Sequence, residues 1–123
     1  MRPTSKQAAE ILSLYRNEEW WGDGPCDIDH IRRLVDGSHC FLAATEKMEI
    51  IAMGRAISDG VSDAYIQDVA VAAECRGRGL GTGIIQRLVA RLHQDGLFWI
   101  GLIAERGSSP FYRRIGFETM DNA

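Results

Sequence analysis

Apolar residues near the start of the chain recur at helical spacing. Ala8, Ile11, Leu12 and Tyr15 fall at i, i+3, i+4 and i+7, which predicts an amphipathic helix over 4–20, with Thr4 or Ser5 as its N-cap. "WGDGPCD" breaks the pattern. A second, shorter helix is expected from Ile28 to Gly37, capped by Asp27, with Ile28, Ile31, Leu34 and Val35 on its apolar stripe. The period then changes. "HCFLAATE" (39–46) and "MEIIAMGRAIS" (48–58) read as two strands around a turn at Glu46–Lys47. "AYIQDVAV" (64–71) reads as a third strand. Gly81–Gln94 returns to helical spacing, with Ile84, Ile85, Leu88 and Leu92 facing inward. "FWIGLIA" (98–104) is a buried strand, "PFYRRI" (110–115) a short helix with Pro110 in its first turn, and "GFET" (116–119) the start of a last strand. The order is ααβββαβαβ, an α+β chain with a mixed sheet and no repeat, linker or low-complexity segment.

Composition narrows the class. The 123 residues fit one domain, 1–123, and 46% apolar with 25% charged residues is ordinary globular usage. A chain of this size buries roughly 65–70% of its unfolded surface, enough for a core without staples. The net charge of −3 argues against a general nucleic-acid binder. Cys26, Cys40 and Cys75 are odd in number and irregular in spacing, which argues against a disulfide framework or a zinc site and fits reduced thiols in the cytoplasm. "MRPTSKQAAE" lacks the apolar stretch of a signal peptide, and "LFWIGLIA" is too short to span a bilayer, so no membrane partner is expected.

The candidate chemistry lies in "DVAVAAECRGRGLGTG". A strand runs into Gly77, Gly79, Gly81 and Gly83, alternating with Arg78, Leu80 and Thr82, and then into a helix. The first amides of a helix lack internal partners and carry the positive end of its dipole. Glycines let that backbone close on an anion, and Arg76 and Arg78 add cationic donors, so the segment is a candidate phosphate cradle. A Walker loop is excluded because no lysine follows the glycines. The dinucleotide fingerprint is excluded because its third glycine would fall on Thr82 or Ile84.

Arg76, Gly79 and Gly81 instead form R-x-x-G-x-G after "DVAV". Together with the element order and "FYRRIGF" (111–117), this resembles the GNAT superfamily of acyl-coenzyme A-dependent N-acyltransferases, over most of the chain from Ala8 to Phe117. The resemblance implies a fold with splayed central strands, acetyl-CoA as cosubstrate, an amine acceptor and no metal. It places the pyrophosphate on Arg76, Gly77, Arg78, Gly79, Leu80, Gly81 and Thr82. It places the pantetheine arm and acetyl group along Val69, Ala70 and Val71, with Val71 pairing as in an added strand and the Val69 N–H as oxyanion donor. Plain core packing is the structural alternative for both valines.

Tyr112 matches the tyrosine that such enzymes use as general acid toward the departing thiolate. A hydroxyl of ordinary pKa ~10 protonating a thiolate of ~8.5 is uphill by roughly 2 kcal/mol, so hydrogen bonding to the thiolate is its main expected contribution. The alternative is a partly buried core tyrosine. Asp68 is a candidate catalytic base or amine anchor, attracting the amine cation or ordering a water relay, against a solvated or hydrogen-bonded strand residue. Trp20 and Trp21, with Glu18, Glu19 and Asp23, are candidates for an aromatic, acidic acceptor recess, against core or lid packing. Arg55 and Asp59 are similarly placed and undecided. His30, His39 and His93 lie outside both motifs and read as surface or structural residues.

Three departures from the family pattern stand out. Only "MRPT" precedes the first helix, where members often begin with a strand. Glu105 stands where many carry an asparagine. The last hairpin is expected short or absent, leaving a sheet edge that a homodimer could cover. The favoured activity is acetylation of a small-molecule primary amine. A protein N-acetyltransferase and a non-catalytic acyl-CoA sensor are the competing readings.

Overall fold

The computed structural model describes residues 2–18, 20, 27–104 and 108–120. Helix α1 is Ser5–Glu18 and α2 is Ile28–Gly37. Strands β1 (Cys40–Glu46), β2 (Glu49–Ser58) and β3 (Asp63–Val71) come next, then a 3₁₀ turn at Ala73–Cys75, helix α3 (Leu80–Gln94), β4 (Trp99–Leu102) and α4 (Ser109–Arg114).

The helix starts are set by their caps. Thr4 Oγ1 accepts the Gln7 N–H (3.1 Å) and Gln7 Oε1 accepts the Thr4 N–H (2.9 Å), a reciprocal capping box. The Asp27 side chain accepts the His30 N–H at 2.9 Å and opens α2. Lys47 and Met48 close the β1–β2 hairpin, one residue later than the sequence suggests. Both have positive φ (50° and 65°), as a two-residue hairpin turn of the twist-matched kind requires.

The sheet order is β1-β2-β3-β4. The first three strands are antiparallel and β3–β4 is parallel. The core lies in two layers, one on each face. Ala8, Ile11, Leu12, Leu14 and Tyr15 of α1 and Ile31 and Val35 of α2 pack with Phe41, Met53 and Ala70. Ile84, Ile85, Leu88 and Leu92 of α3 pack with Ala52, Ala56, Ala64 and Ile66 on the other face. The expected inward positions of α1 and α3 are all buried.

The strand expected at "GFET" is not formed: Phe117 to Met120 carry no strand assignment. Gly116 turns to φ +104°, and the Phe117 N–H folds back to the Tyr112 carbonyl at 3.1 Å, closing α4 with the donor a ladder would have used.

Two irregularities shape β3. It pairs with β4 only from Asp63↔Trp99 to Ile66↔Leu102, so from Gln67 onward it has no β4 partner, which is the splay that the family resemblance implies. Against β2 the register jumps. Arg55↔Gln67 is succeeded by Met53↔Ala70, so Asp68 and Val69 together oppose Gly54. This is a two-for-one β-bulge, and Asp68 takes the left-handed conformation (φ +59°).

Gly54 is required for close approach. A Cβ there would stand 2.6 Å from Ile84 Cγ2, 3.2 Å from Val69 Cγ2 and 3.3 Å from Leu88 Cδ1. Gly54→Ala is expected to lower unfolding free energy by about 1–3 kcal/mol through overpacking, read from the urea midpoint at unchanged slope.

Candidate active site

The site is assembled where β3 outruns β4. The Ala72 N–H donates to the Ile51 carbonyl of β2 at 2.8 Å. Amides alternate along an extended strand, so the Val71 N–H and C=O turn the other way, toward the edge that β4 has left. An open edge of this kind can pair with an added extended chain.

The glycine loop leads from this edge into α3. Gly77 (φ +80°) and Gly79 (φ +79°) are left-handed, and Gly79 is the N-cap of α3 with no side-chain cap bond. A Cβ at either would meet nothing within 4 Å, so the need for glycine there is conformational rather than steric. The helical ladder starts with the Gly83 N–H donating to the Gly79 carbonyl at 3.0 Å. The Leu80, Gly81 and Thr82 amides therefore precede it, at the positive end of a helix of 15 residues. These backbone donors suit a pyrophosphate.

Both arginines of the loop have carboxylate partners. Arg76 Nη2 donates to Glu18 Oε1 (3.0 Å) and Arg76 Nε to the Val71 carbonyl (3.2 Å). Arg78 pairs with Glu46, and this hydrogen bond holds the Glu46 carboxyl below the usual carboxylate range. The cradle is thus built from main chain, with the guanidinium groups tying it to α1 and to β1.

Helix α4 joins the same end. A Cβ at Gly81 would touch Val71 Cγ2 at 3.7 Å and Phe111 at 3.8 Å, so loop, strand edge and α4 converge there. Tyr112 is the next residue of α4, half-buried, its ring centroid 5.0 Å from Phe111 and 6.2 Å from Phe117. Val69, Val71 and Tyr112 all pack against the α3 layer, the core packing expected as the alternative for them.

On the opposite face Trp20 packs edge-on to Tyr15, with ring centroids 6.0 Å apart. Trp21, Glu19, Asp23, Cys26 and Glu105 lie outside the described residues. Asp59 is spent in its own turn, accepting the Val61 and Ser62 amides at 2.8 and 2.9 Å. His39 Nε2 lies 2.8 Å from Asp95 Oδ2 and joins β1 to the end of α3. Among the described residues no cluster could hold a metal ion.

Asp68 is held at both sides. Its Oδ2 accepts the Tyr15 hydroxyl at 2.7 Å and Arg55 Nε at 2.7 Å, and Arg55 Nη1 reaches Ser38 Oγ at 3.3 Å. The sequence pattern places Tyr15 on the core stripe and says nothing of its polar end. A signal was available, because a tyrosine on an apolar stripe needs a partner for its hydroxyl.

Known proteins share the sequence pattern and the fold. Residues 4–117 match the model of the acetyltransferase (GNAT) family. A histone acetyltransferase of Glycine max is 40% identical over 117 residues, covering 95% of this chain and 45% of its own length. A chloroplastic serotonin N-acetyltransferase of Oryza sativa is 45% identical over 67 residues, covering 54% of this chain and 34% of its own. The chain thus spans less than half the length of these relatives. Among solved structures, a Trypanosoma brucei acetyltransferase superposes with a TM-score of 0.80 at 19% identity, covering 98% of this chain and 92% of that one. Glucosamine-6-phosphate N-acetyltransferase of Arabidopsis thaliana gives 0.76 at 17%, covering 98% and 90%. At such identities the structural likeness speaks for the fold alone.

Burial, then the Asp68 charge, push the Tyr15 hydroxyl far above its ordinary value. Its folded pKa exceeds the unfolded one, so its stabilisation is complete below the unfolded pKa of ~10 and is lost as pH rises through the folded value. Tyr15 is expected to remain un-ionised at pH ~11 in the native protein and to titrate on denaturation. Ultraviolet phenolate titration of the wild type and Tyr15→Phe checks this.

Proposed function

The chain belongs to the acetyltransferase (GNAT) family, and we propose that it moves an acetyl group from acetyl-CoA directly to the primary amine of a small molecule. The observation that carries this reading is the convergence of Gly81, Val71 and Phe111, which sets the cradle, the free β3 edge and the tyrosine helix at one point. In this reading Gly77 to Thr82 hold the pyrophosphate with main-chain donors. The Val71 backbone holds the pantetheine arm, exchanging the Arg76 Nε donor on its carbonyl for an amide of that arm. The Val69 amide donates to the thioester oxygen as negative charge develops there. The amine nitrogen attacks the carbonyl carbon, the C–S bond breaks, and the Tyr112 hydroxyl donates to the departing sulfur. The amine must arrive neutral, its ammonium proton passing to water, and the second proton that the nitrogen sheds after attack restores, through solvent, the one Tyr112 gives to sulfur.

Two observations favour a small acceptor. Trp20 lies against Tyr15 just past the end of α1, an aromatic surface for an amine. The rice relative acts on serotonin by its name, and shares its identity over part of this chain. The soybean relative, similar over nearly the whole chain, supports protein acetylation as the second reading.

A panel of arylamines, alkylamines and histone-tail peptides with acetyl-CoA, scored by thiol release, separates the two. Coenzyme A binding without turnover of any acceptor would assign a sensor instead. Tyr112→Phe is expected to reduce kcat about 10²- to 10⁴-fold with little change in coenzyme A affinity, whereas unchanged kcat would remove its donor role. Gly79→Ala forces a side chain into the left-handed region at about 1–2 kcal/mol and is expected to weaken coenzyme A binding by calorimetry. Gly83→Ala, where a Cβ meets open space in a helical conformation, serves as the control.

A further inference from the structure

The phase of β3 changes at its bulge. Ala64 and Ile66 face the α3 layer before it. After it Val69 and Val71 face α3, while Ala70 packs into the α1–α2 layer. In a regular strand Ala70 would share the face of Ala64 and Ile66, and the valines would face the opposite layer. The one extra residue therefore sets which way every group from Val69 to Val71 points, main chain included.

That extra residue is in the left-handed region, uncommon for a side chain other than glycine, though Asp and Asn tolerate it best. Its carboxylate is fixed from two sides by Tyr15 of α1 and Arg55 of β2, both donating to Oδ2 at 2.7 Å. Arg55 and Asp68 are only 17% and 20% exposed, so the pair is sheltered from screening. The clamp continues outward. Arg55 reaches Ser38 Oγ, and Ser38 Oγ donates to the Leu34 carbonyl at 2.7 Å, at the end of α2. Two elements thus hold the single residue whose conformation sets the register, and a third, α2, steadies Arg55.

We propose that Asp68, Tyr15 and Arg55 form a positioning clamp that locks the β3 bulge, and with it the orientation of the Val69–Val71 backbone. This rests on the proposed function, in which this backbone meets the acyl donor. It makes Asp68 a positioning residue and not the proton acceptor of the reaction. Tyr15 and Arg55 acquire roles in turnover although neither is placed against a substrate.

Glycine adopts the left-handed conformation freely, so substitutions at 68 separate conformation from charge. In the ligand-free protein, amide hydrogen exchange at Ala72, whose N–H is bonded to the Ile51 carbonyl just beyond the bulge, is compared among wild type, Asp68→Gly, Asp68→Ala and Tyr15→Phe. Asp68→Ala and Tyr15→Phe are expected to speed exchange there roughly tenfold or more, and Asp68→Gly less than Asp68→Ala. Equal protection in all four would overturn the clamp, whatever the activity of the protein. Turnover supplies the second readout. A clamp predicts that Asp68→Gly retains more kcat than Asp68→Ala, that Tyr15→Phe also loses kcat, and that the acid limb of the kcat/KM profile stays in place. Equal loss in Asp68→Gly and Asp68→Ala, with that limb displaced, would make Asp68 the base and sink the proposal. Should Asp68→Ala fail to fold, Tyr15→Phe alone decides. Unchanged exchange and unchanged kcat in it would overturn the clamp.

Discussion

A single carboxylate at a left-handed strand residue organises this molecule. Asp68 takes a conformation that costs about 1–3 kcal/mol for a residue with a side chain, and offsets it with a charge-assisted bond to Arg55 and a second to Tyr15. Each bond reaches a different element, so the strain is met by the packing of α1 onto β2 and β3. The consequences are geometrical. One strand slips by a residue, its valines turn to α3, and Gly54 opposite the slip lets that helix approach. The divergence from β4 just before the bulge then leaves the edge of β3 open where the glycine loop begins.

The cradle and the edge meet because they share a strand end. Val71 ends β3, and the chain beyond it returns as α3 across the same face. Left-handed glycines at 77 and 79 reverse the chain without filling the space above it. The tethers are electrostatic. Arg76 ties the loop to the end of α1, and Arg78 ties it to the end of β1. These exposed pairs contribute little to global stability and matter more for where the loop sits.

Much of this is legible in the sequence because it is periodic or depends on residue type. The stripes of α1 and α3, the Asp27 cap and the Arg76–Gly79–Gly81 signature are local patterns, and local physics fixes them. The rest is tertiary. Nothing local says that a strand aspartate will be left-handed, because its register comes from Gly54 and its stabilisation from a tyrosine 53 positions earlier. The last strand fails to form for a related reason. "GFET" has strand-like composition, but Gly116 turns the Phe117 amide back into the end of α4. The hairpin turn sits at Lys47–Met48, two residues without the usual turn chemistry, because strand pairing outweighs local preference.

The core has two layers with different contents. The α3 face holds Leu80 at the start of its helix, the β3 valines and the aromatic residues of α4. The α1–α2 face holds Tyr15 and, partly buried against it, Trp20. The sheet separates them, but the Asp68 carboxylate joins them, because the Tyr15 hydroxyl that it accepts belongs to the layer of Trp20 and the valines it orients belong to the other. Residues of one hydrogen-bond network do not act independently, so a substitution beside Trp20 that shifts Tyr15 is felt on the far face. The two halves of this protein cannot be redesigned one at a time.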